Sequence, residues 1–202
     1  MFTGLVTAIG EVVSAERAGA QARFAIASTY DPADIAIGAS IAHAGCCLTV
    51  VETSGAAGTR RHVVECSPET LATTTLGAWR IGSRMNLERA ARFGDEIGGH
   101  LVAGHIDGVG RLTARAATGD YVRLEFSAPM KLMPYLAPKG SIAIDGVSLT
   151  VNEVERDRFS VMIIPLTASV TTLGALGEGD AVNLEADLIA RYVARMMAIK
   201  GE

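Results

Sequence analysis

With 202 residues, 49% of them hydrophobic, the chain is long enough for one large domain or two small ones with buried cores. Its formal charge of −4, without any run of Lys or Arg, lacks the basic stripe that nucleic acid or an anionic membrane requires. The three cysteines, Cys46, Cys47 and Cys66, show neither C-x-x-C nor zinc-ligand spacing, which excludes the common metal and disulfide frameworks and fits a reducing cytoplasm.

Along the chain, the N-terminal MFTGLVTAIG has no basic region and no long apolar core, and no later apolar run approaches a membrane span. The reading is a soluble, untargeted chain. The phrase TGLVTAIGEV, Thr3 to Val12, is the first of three that return in the same order. It aligns with AGHIDGVGRL, Ala103 to Leu112, placing Gly4 on Gly104, Leu5 on His105 and Gly10 on Gly110. SIAHAGCCLTVVE, Ser40 to Glu52, matches SIAIDGVSLTVNE, Ser141 to Glu153. PETLATTTLGAWRIGSRMNLE, Pro68 to Glu88, matches PLTASVTTLGALGEGDAVNLE, Pro165 to Glu185, down to the closing Asn-Leu-Glu. Such self-similarity reads as one architecture used twice.

Short β-favouring runs carry the pattern: HVVEC, YVRLEFS, SIAI, VSLTVNEV and FSVMII, separated by Gly, Asp or Ser. Asp145-Gly146 predicts a two-residue hairpin, since both of its central positions favour residues that tolerate positive φ. Neighbours Cys46 and Cys47 on a strand face opposite ways. Strands so short and evenly spaced predict closed barrels, which leave no exposed edge. The expected fold is all-β, two tandem barrels meeting between Ala90 and Gly99. In the tail, Leu188, Ile189, Tyr192, Val193, Met196 and Met197 fall on one helical stripe, with Arg191, Arg195 and Lys200 elsewhere. On pattern alone the helix packs on its own barrel; the sharper alternative is an oligomer seam.

The informative positions are those where the copies disagree. Cys47 aligns with Ser148, Ala44 with Asp145 and Ala90 with Asp187, while Thr49 and Thr150 are the same. The second copy reads as the more polar, and with His105 and nearby Lys139 it is the one equipped for proton chemistry. Each residue also has a plainer role. His100 and His105, at odd separation on a strand, face apart and make a poor metal pair. Ser148 and Thr150 are by default strand residues satisfying neighbours, and neither a Ser-His-Asp order nor a G-x-S-x-G elbow argues for acyl transfer. Cys47 alone is more often a small buried hydrophobe than a nucleophile.

Taken together, MFTG, GCCLTV, SPETL, FGDEIGGHLVAGHIDG, KGSIAIDGVSLTVNEV and VNLEAD resemble the trimeric riboflavin synthase family over nearly the whole chain. The resemblance implies two Greek-key β-barrels, 1–97 and 98–186, each binding a lumazine, and a trimerisation helix, 187–202. It implies dismutation of two 6,7-dimethyl-8-ribityllumazine molecules into riboflavin and 5-amino-6-(D-ribitylamino)uracil, with no metal, nucleotide or flavin cofactor. The implied partners are two further copies of the chain and lumazine synthase.

Carried over by position, the first-barrel site comprises Phe2, Gly4, Leu5, Val6, Ser40, Cys47, Leu48, Thr49, and Glu65, Cys66, Ser67, Pro68, Glu69 and Thr70. The second-barrel site comprises Gly104, His105, Ile106, Lys139, Ser148, Leu149, Thr150, and Met162, Ile163, Ile164, Pro165, Leu166 and Thr167. His105 is expected to move the proton, Ser148 and Thr150 to orient substrate or water, and Asp187 and Lys139 to place polar contacts. Cys47 is expected to be a pocket wall rather than a nucleophile. Leu166 stands where the family pattern calls for a polar residue. The rival reading is a non-catalytic lumazine- or flavin-holding antenna of the same fold. A flavin-reductase-like barrel is more remote, since it lacks a strand-linked G-x-G-x-x-G.

Overall fold

Where apolar residues alternate along a strand, the strand turns one face inward. In β2 (Gln21–Ala27), Ala22, Phe24 and Ile26 are buried while their neighbours are not. The same period runs through parts of β1 (Ala8–Ala18) and β4 (Cys46–Ser54), whereas β3 (Ser40–His43), β5 (Arg61–Cys66) and β6 (Arg84–Arg89) carry continuous buried runs. These close into an antiparallel barrel in the order β1-β2-β5-β4-β3-β6. A second closed barrel follows, from β7 (Gly108–Thr118), β8 (Tyr121–Ser127), β9 (Ser141–Ile144), β10 (Val147–Val154), β11 (Arg158–Ile163) and β12 (Ala181–Ala186), with the same order. All five runs identified in the sequence fall on strands, FSVMII overrunning β11 by Ile164 alone. The structure is a computed structural model describing residues 1–200, with Lys200 described by its backbone alone, so the end of the segment 187–202 lies outside the described residues.

The duplication extends to irregularities. The β1–β2 ladder shifts register between Val12 and Ser14, and the β7–β8 ladder between Leu112 and Ala114. Matching bulges interrupt β4 after Val50 and β10 after Val151, adding twist that helps each sheet close. Inside the barrels, Phe24, Ile26, Val50, Val64 and Leu87 in the first correspond to Leu124, Phe126, Val151, Val161 and Leu184 in the second. Burying each such side chain contributes about 1.5–3 kcal/mol.

Asp145-Gly146 forms the expected hairpin, with φ of 46° and 79°, and Ala44-Gly45 makes the same turn in the first barrel at 45° and 80°. An alanine is an unusual choice for a left-handed position. It is held there because the two turns meet at the seam between barrels: a Cβ on Gly45 would come within 2.7 Å of the Gly146 nitrogen.

The tail forms α3 (Leu188–Lys200). Asp187 caps it, its Oδ1 accepting from the Ile189 N–H at 2.9 Å, and Arg191 grips Asp107 with both terminal nitrogens at 2.7 and 2.9 Å. The expected packing of the apolar stripe on its own barrel is not what the helix does. Ile189, Tyr192, Val193, Met196 and Met197 are 49–68% exposed, because the Asp107–Arg191 grip holds the opposite side of the helix to the barrel. Among the described residues, no helix is long and apolar enough to cross a membrane.

Candidate functional site

The repeated Asn-Leu-Glu closes β6 and β12, and its three residues have three separate roles. Leu87 and Leu184, both fully buried, fill their barrels. Asn86 reaches across the seam, donating to the Asp145 carbonyl at 3.0 Å and accepting from the Thr172 N–H at 2.8 Å. Asn183 reaches back, donating to the Ala44 carbonyl at 2.9 Å and accepting from the Thr75 N–H at 2.8 Å. These buried amides are paired on both ends, so the cost of an unmet polar group, about 1–3 kcal/mol, is avoided.

The two glutamates clamp loops. Glu88 accepts from the Thr3 N–H and hydroxyl, both at 2.7 Å, and from the Gly4 N–H at 3.0 Å. Glu185 accepts from the N–H groups of Ala103, Gly104 and His105 at 2.7, 2.9 and 3.0 Å. Burial raises both carboxyls, Glu185 up to about 7, while the donated N–H bonds pull in the opposite direction.

The clamped loops cross to the opposite barrels. The Gly4 carbonyl accepts from the Ser148 N–H, and the Gly104 carbonyl from the Cys47 N–H, each at 2.9 Å. A Cβ on Gly4 would lie 2.5 Å from the Ser148 Cβ, and one on Gly104 equally close to the Cys47 Cβ, so both approaches require glycine. Val6 packs on the second barrel's core and Ile106 on the first's. The sequence-based grouping is therefore exchanged: Gly4, Leu5 and Val6 go with Ser148, and Gly104, His105 and Ile106 with Cys47. The cause is the seam, where buried Phe2 and Val102 pair backbone to backbone at 2.8 and 3.0 Å and send each loop past its own barrel. Leu5, 47% exposed, also borders a cleft of about 440 Å³ with Thr7 and Tyr30.

A cleft of about 250 Å³ opens over the first barrel, lined by Cys47, Glu69, Thr70, Gly104, His105 and Ile106. Cys47 is half-buried, whereas Cys46 and Cys66 sit in the core with thiols pushed by burial to about 12 and about 11. Thr70 is presented by α1 (Pro68–Thr73), capped by the Ser67 hydroxyl accepting from the Thr70 N–H at 3.1 Å. Glu65, Cys66 and Ser67 line a separate cavity of about 380 Å³, and Glu65 pairs with Arg23 at 3.5 Å. Ser40 and Thr49 pair across β3 and β4, and Leu48 is buried.

Over the second barrel, the Ser148 Oγ lies 2.7 Å from the His100 Nδ1. His100 is buried, its Nε2 has no protein partner, and desolvation lowers its pKa while the Asp187 charge opposes that. The sequence reading had His100 and His105 facing apart; in the structure His100 meets Ser148 of the second barrel, whereas His105 lines the Cys47 cleft of the first. Thr150 is exposed opposite Ser141, Leu149 packs on the core, and Ile163 is within it. Exposed Lys139 holds φ at 70°, where the first barrel has Gly38 at 88°, a left-handed conformation that a side chain rarely adopts.

The second copy is not the more polar one throughout. At α2 (Pro165–Val170) the cap position is Ile164, with no side-chain cap, and Leu166 replaces Glu69; both apolar side chains are exposed, at 46% and 64%. Met162 and Thr167 flank them, half-buried. No sequence signal shows that His100 meets Ser148, since the contact depends on the seam. The glutamate clamps did have one, the repeated Asn-Leu-Glu itself.

The family description "Lumazine binding domain" matches residues 3–90 and 103–187. The riboflavin synthase of Brucella abortus is 45% identical, aligned over 97% of this chain and 98% of its own length. That of Mycobacterium tuberculosis is 42% identical over 100% of both chains, and that of Photobacterium phosphoreum 36% identical over 98% of this chain and 90% of its own. LumP solved with 6,7-dimethyl-8-(1'-D-ribityl) lumazine superposes with a TM-score of 0.80 at 26% identity, covering 92% of this chain and 99% of LumP. LumP with riboflavin gives 0.81 at 27%, with the same coverage.

Proposed function

The chain belongs to the riboflavin synthase family, and from that premise we infer that it converts two molecules of 6,7-dimethyl-8-ribityllumazine into riboflavin and 5-amino-6-(D-ribitylamino)uracil by four-carbon transfer. The observation that carries this is end-to-end identity of 45% with a riboflavin synthase, against 26% with LumP. The units 1–97 and 98–186, each following a Greek-key path, hold one lumazine apiece. The uncharged pterin and its ribityl hydroxyls suit pockets built from backbone groups, hydroxyls and imidazoles.

His105, at the mouth of the Cys47 cleft, takes a proton from the C7 methyl of the lumazine bound there, and the ring delocalises the resulting carbanion. Cys47 forms a wall of that cleft. Across from it, Ser148, held by His100, orients the nucleophile that adds to C7 of the second lumazine, with Thr150 and Lys139 as further polar contacts. Asp187 acts on this pocket through His100 and through the start of α3.

A first-barrel pocket of one chain faces a second-barrel pocket of its neighbour in a cytoplasmic homotrimer joined through α3. Bringing two bound lumazines together in this way turns their encounter into a step of fixed geometry. Lumazine synthase joins as a partner on chemical grounds, since its product is the substrate. Incubation with 6,7-dimethyl-8-ribityllumazine should yield riboflavin absorbance and the pyrimidine in equal amounts. Stable binding without conversion would instead identify the antenna, the reading that likeness to LumP favours.

A further inference from the structure

We propose that Glu185 and Glu88 are positioning residues, each assigned to one ligand pocket and each acting on the barrel opposite its own. Neither carboxylate touches Cys47 or Ser148. Glu185, on β12, fixes three consecutive N–H groups from Ala103 to His105, and the carbonyl of the middle residue takes the Cys47 N–H of the first barrel. Glu88, on β6, fixes Thr3 and Gly4, whose carbonyl takes the Ser148 N–H of the second barrel. The neighbouring asparagines run the same crossed path, Asn86 into the second barrel and Asn183 into the first, so each tripeptide both joins the barrels and sets one pocket.

Each pocket is therefore composite within one chain. The wall of the Cys47 cleft formed by Gly104, His105 and Ile106 belongs to a loop anchored in the other barrel. A carboxylate offers several lone pairs to converging N–H groups, whereas an amide turns its own NH₂ toward at least one of them. Glu185→Gln should thus free the loop without altering the surface of the cleft itself.

Cys47 provides a local readout, as the other two cysteines are buried. In ligand-free protein, alkylation of Cys47 by iodoacetamide should accelerate about tenfold in Glu185→Gln, the effect of weakening one charge-assisted set of bonds. Glu88→Gln should leave that rate at the wild-type value while lowering riboflavin formation. Glu185→Asp, which keeps the charge but shortens the reach, should fall between, and it serves if the glutamine variant does not fold. Gly104→Ala, which forces the same loop off Cys47, should raise the rate as well.

An unchanged rate in Glu185→Gln or Glu185→Asp overturns the proposal. So does an equal rise in Glu88→Gln, which would mark general loosening rather than pocket-specific positioning. The ligand part of the proposal rests on the lumazine reading, and there protection of Cys47 should require about tenfold more 6,7-dimethyl-8-ribityllumazine in Glu185→Gln. Wild-type protein that never forms riboflavin would sink the proposed activity and leave the alkylation result standing.

Discussion

At the residue scale, one buried pair distinguishes the first barrel from its copy. His43 and His62, both fully buried, meet Nε2 to Nε2 at 2.8 Å, where the second barrel has Ile144 and Phe159. His43 donates from Nδ1 to the Ile41 carbonyl at 3.0 Å, so its Nε2 accepts from His62, whose own Nδ1 is left buried without a protein partner. Burial lowers the two rings to about 3 and about 4 from 6.5. The unfolded chain takes up protons below its ordinary value while the fold refuses them. The pair's contribution to stability is therefore complete above roughly pH 6.5 and falls as the pH drops toward the folded values. Between pH 6.5 and 5 the pair's contribution should fall by about 3 kcal/mol, read from urea denaturation as the change with pH in the stability difference between wild type and a variant lacking the pair, because buried Glu185, raised to about 7, contributes with the opposite sign over the same range. The double variant His43→Ile, His62→Phe, copying the second barrel, supplies that comparison; a pH dependence identical to that of wild type would refute the assignment. Neither histidine was singled out in the sequence, because alignment against Ile144 and Phe159 shows only that the copies differ. It does not show that the two differences touch.

At the element scale, the strands were legible because burial period and turn chemistry agree. Asp145-Gly146 declared its hairpin, whereas Ala44-Gly45 did not, since what holds an alanine left-handed is the opposing turn and Asn183. The short helices were legible only as repeated phrases, and their difference makes a prediction. Ser67 caps α1 at φ −69° and ψ 160°, and Ile164 occupies the same backbone at −80° and 161° with no cap. Ile164→Ser should supply the missing acceptor and loses little burial, as that side chain is 46% exposed. The expected gain is about 1 kcal/mol in urea denaturation at neutral pH. Ser67→Ala should cost a similar amount, and a destabilised Ile164→Ser would show that α2 is held by something other than its terminus.

At the scale of the molecule, the sequence revealed two barrels and the residue types of two pockets, but not which loop serves which pocket. Gly4 and Gly104 precede the first strands of their own repeats, so chain order assigns them locally; only the Phe2–Val102 pairing across the seam sends them to Ser148 and Cys47. The same limit applied to α3, whose stripe has one period whether it faces its own barrel or another chain. With Arg191 committed to Asp107, the stripe from Ile189 to Met197 is left outward, and such a surface is what an oligomer buries. If the proposed trimer completes the reaction site, cutting the chain after Asp187 should leave both barrels folded, because their cores include no α3 residue. The cut protein should sediment as a monomer, and riboflavin formation per chain should fall by at least about 100-fold, as the second lumazine must then arrive by diffusion. Val193→Asp with Met197→Asp tests the same point with the Asp107–Arg191 grip intact: charges on the stripe should dissociate the chains and reduce turnover in parallel. Mixing should restore neither variant, since each lacks the face that a neighbour would grip. A monomer that converts lumazine at the rate of the intact protein would mean that both pockets of the reaction lie within one chain.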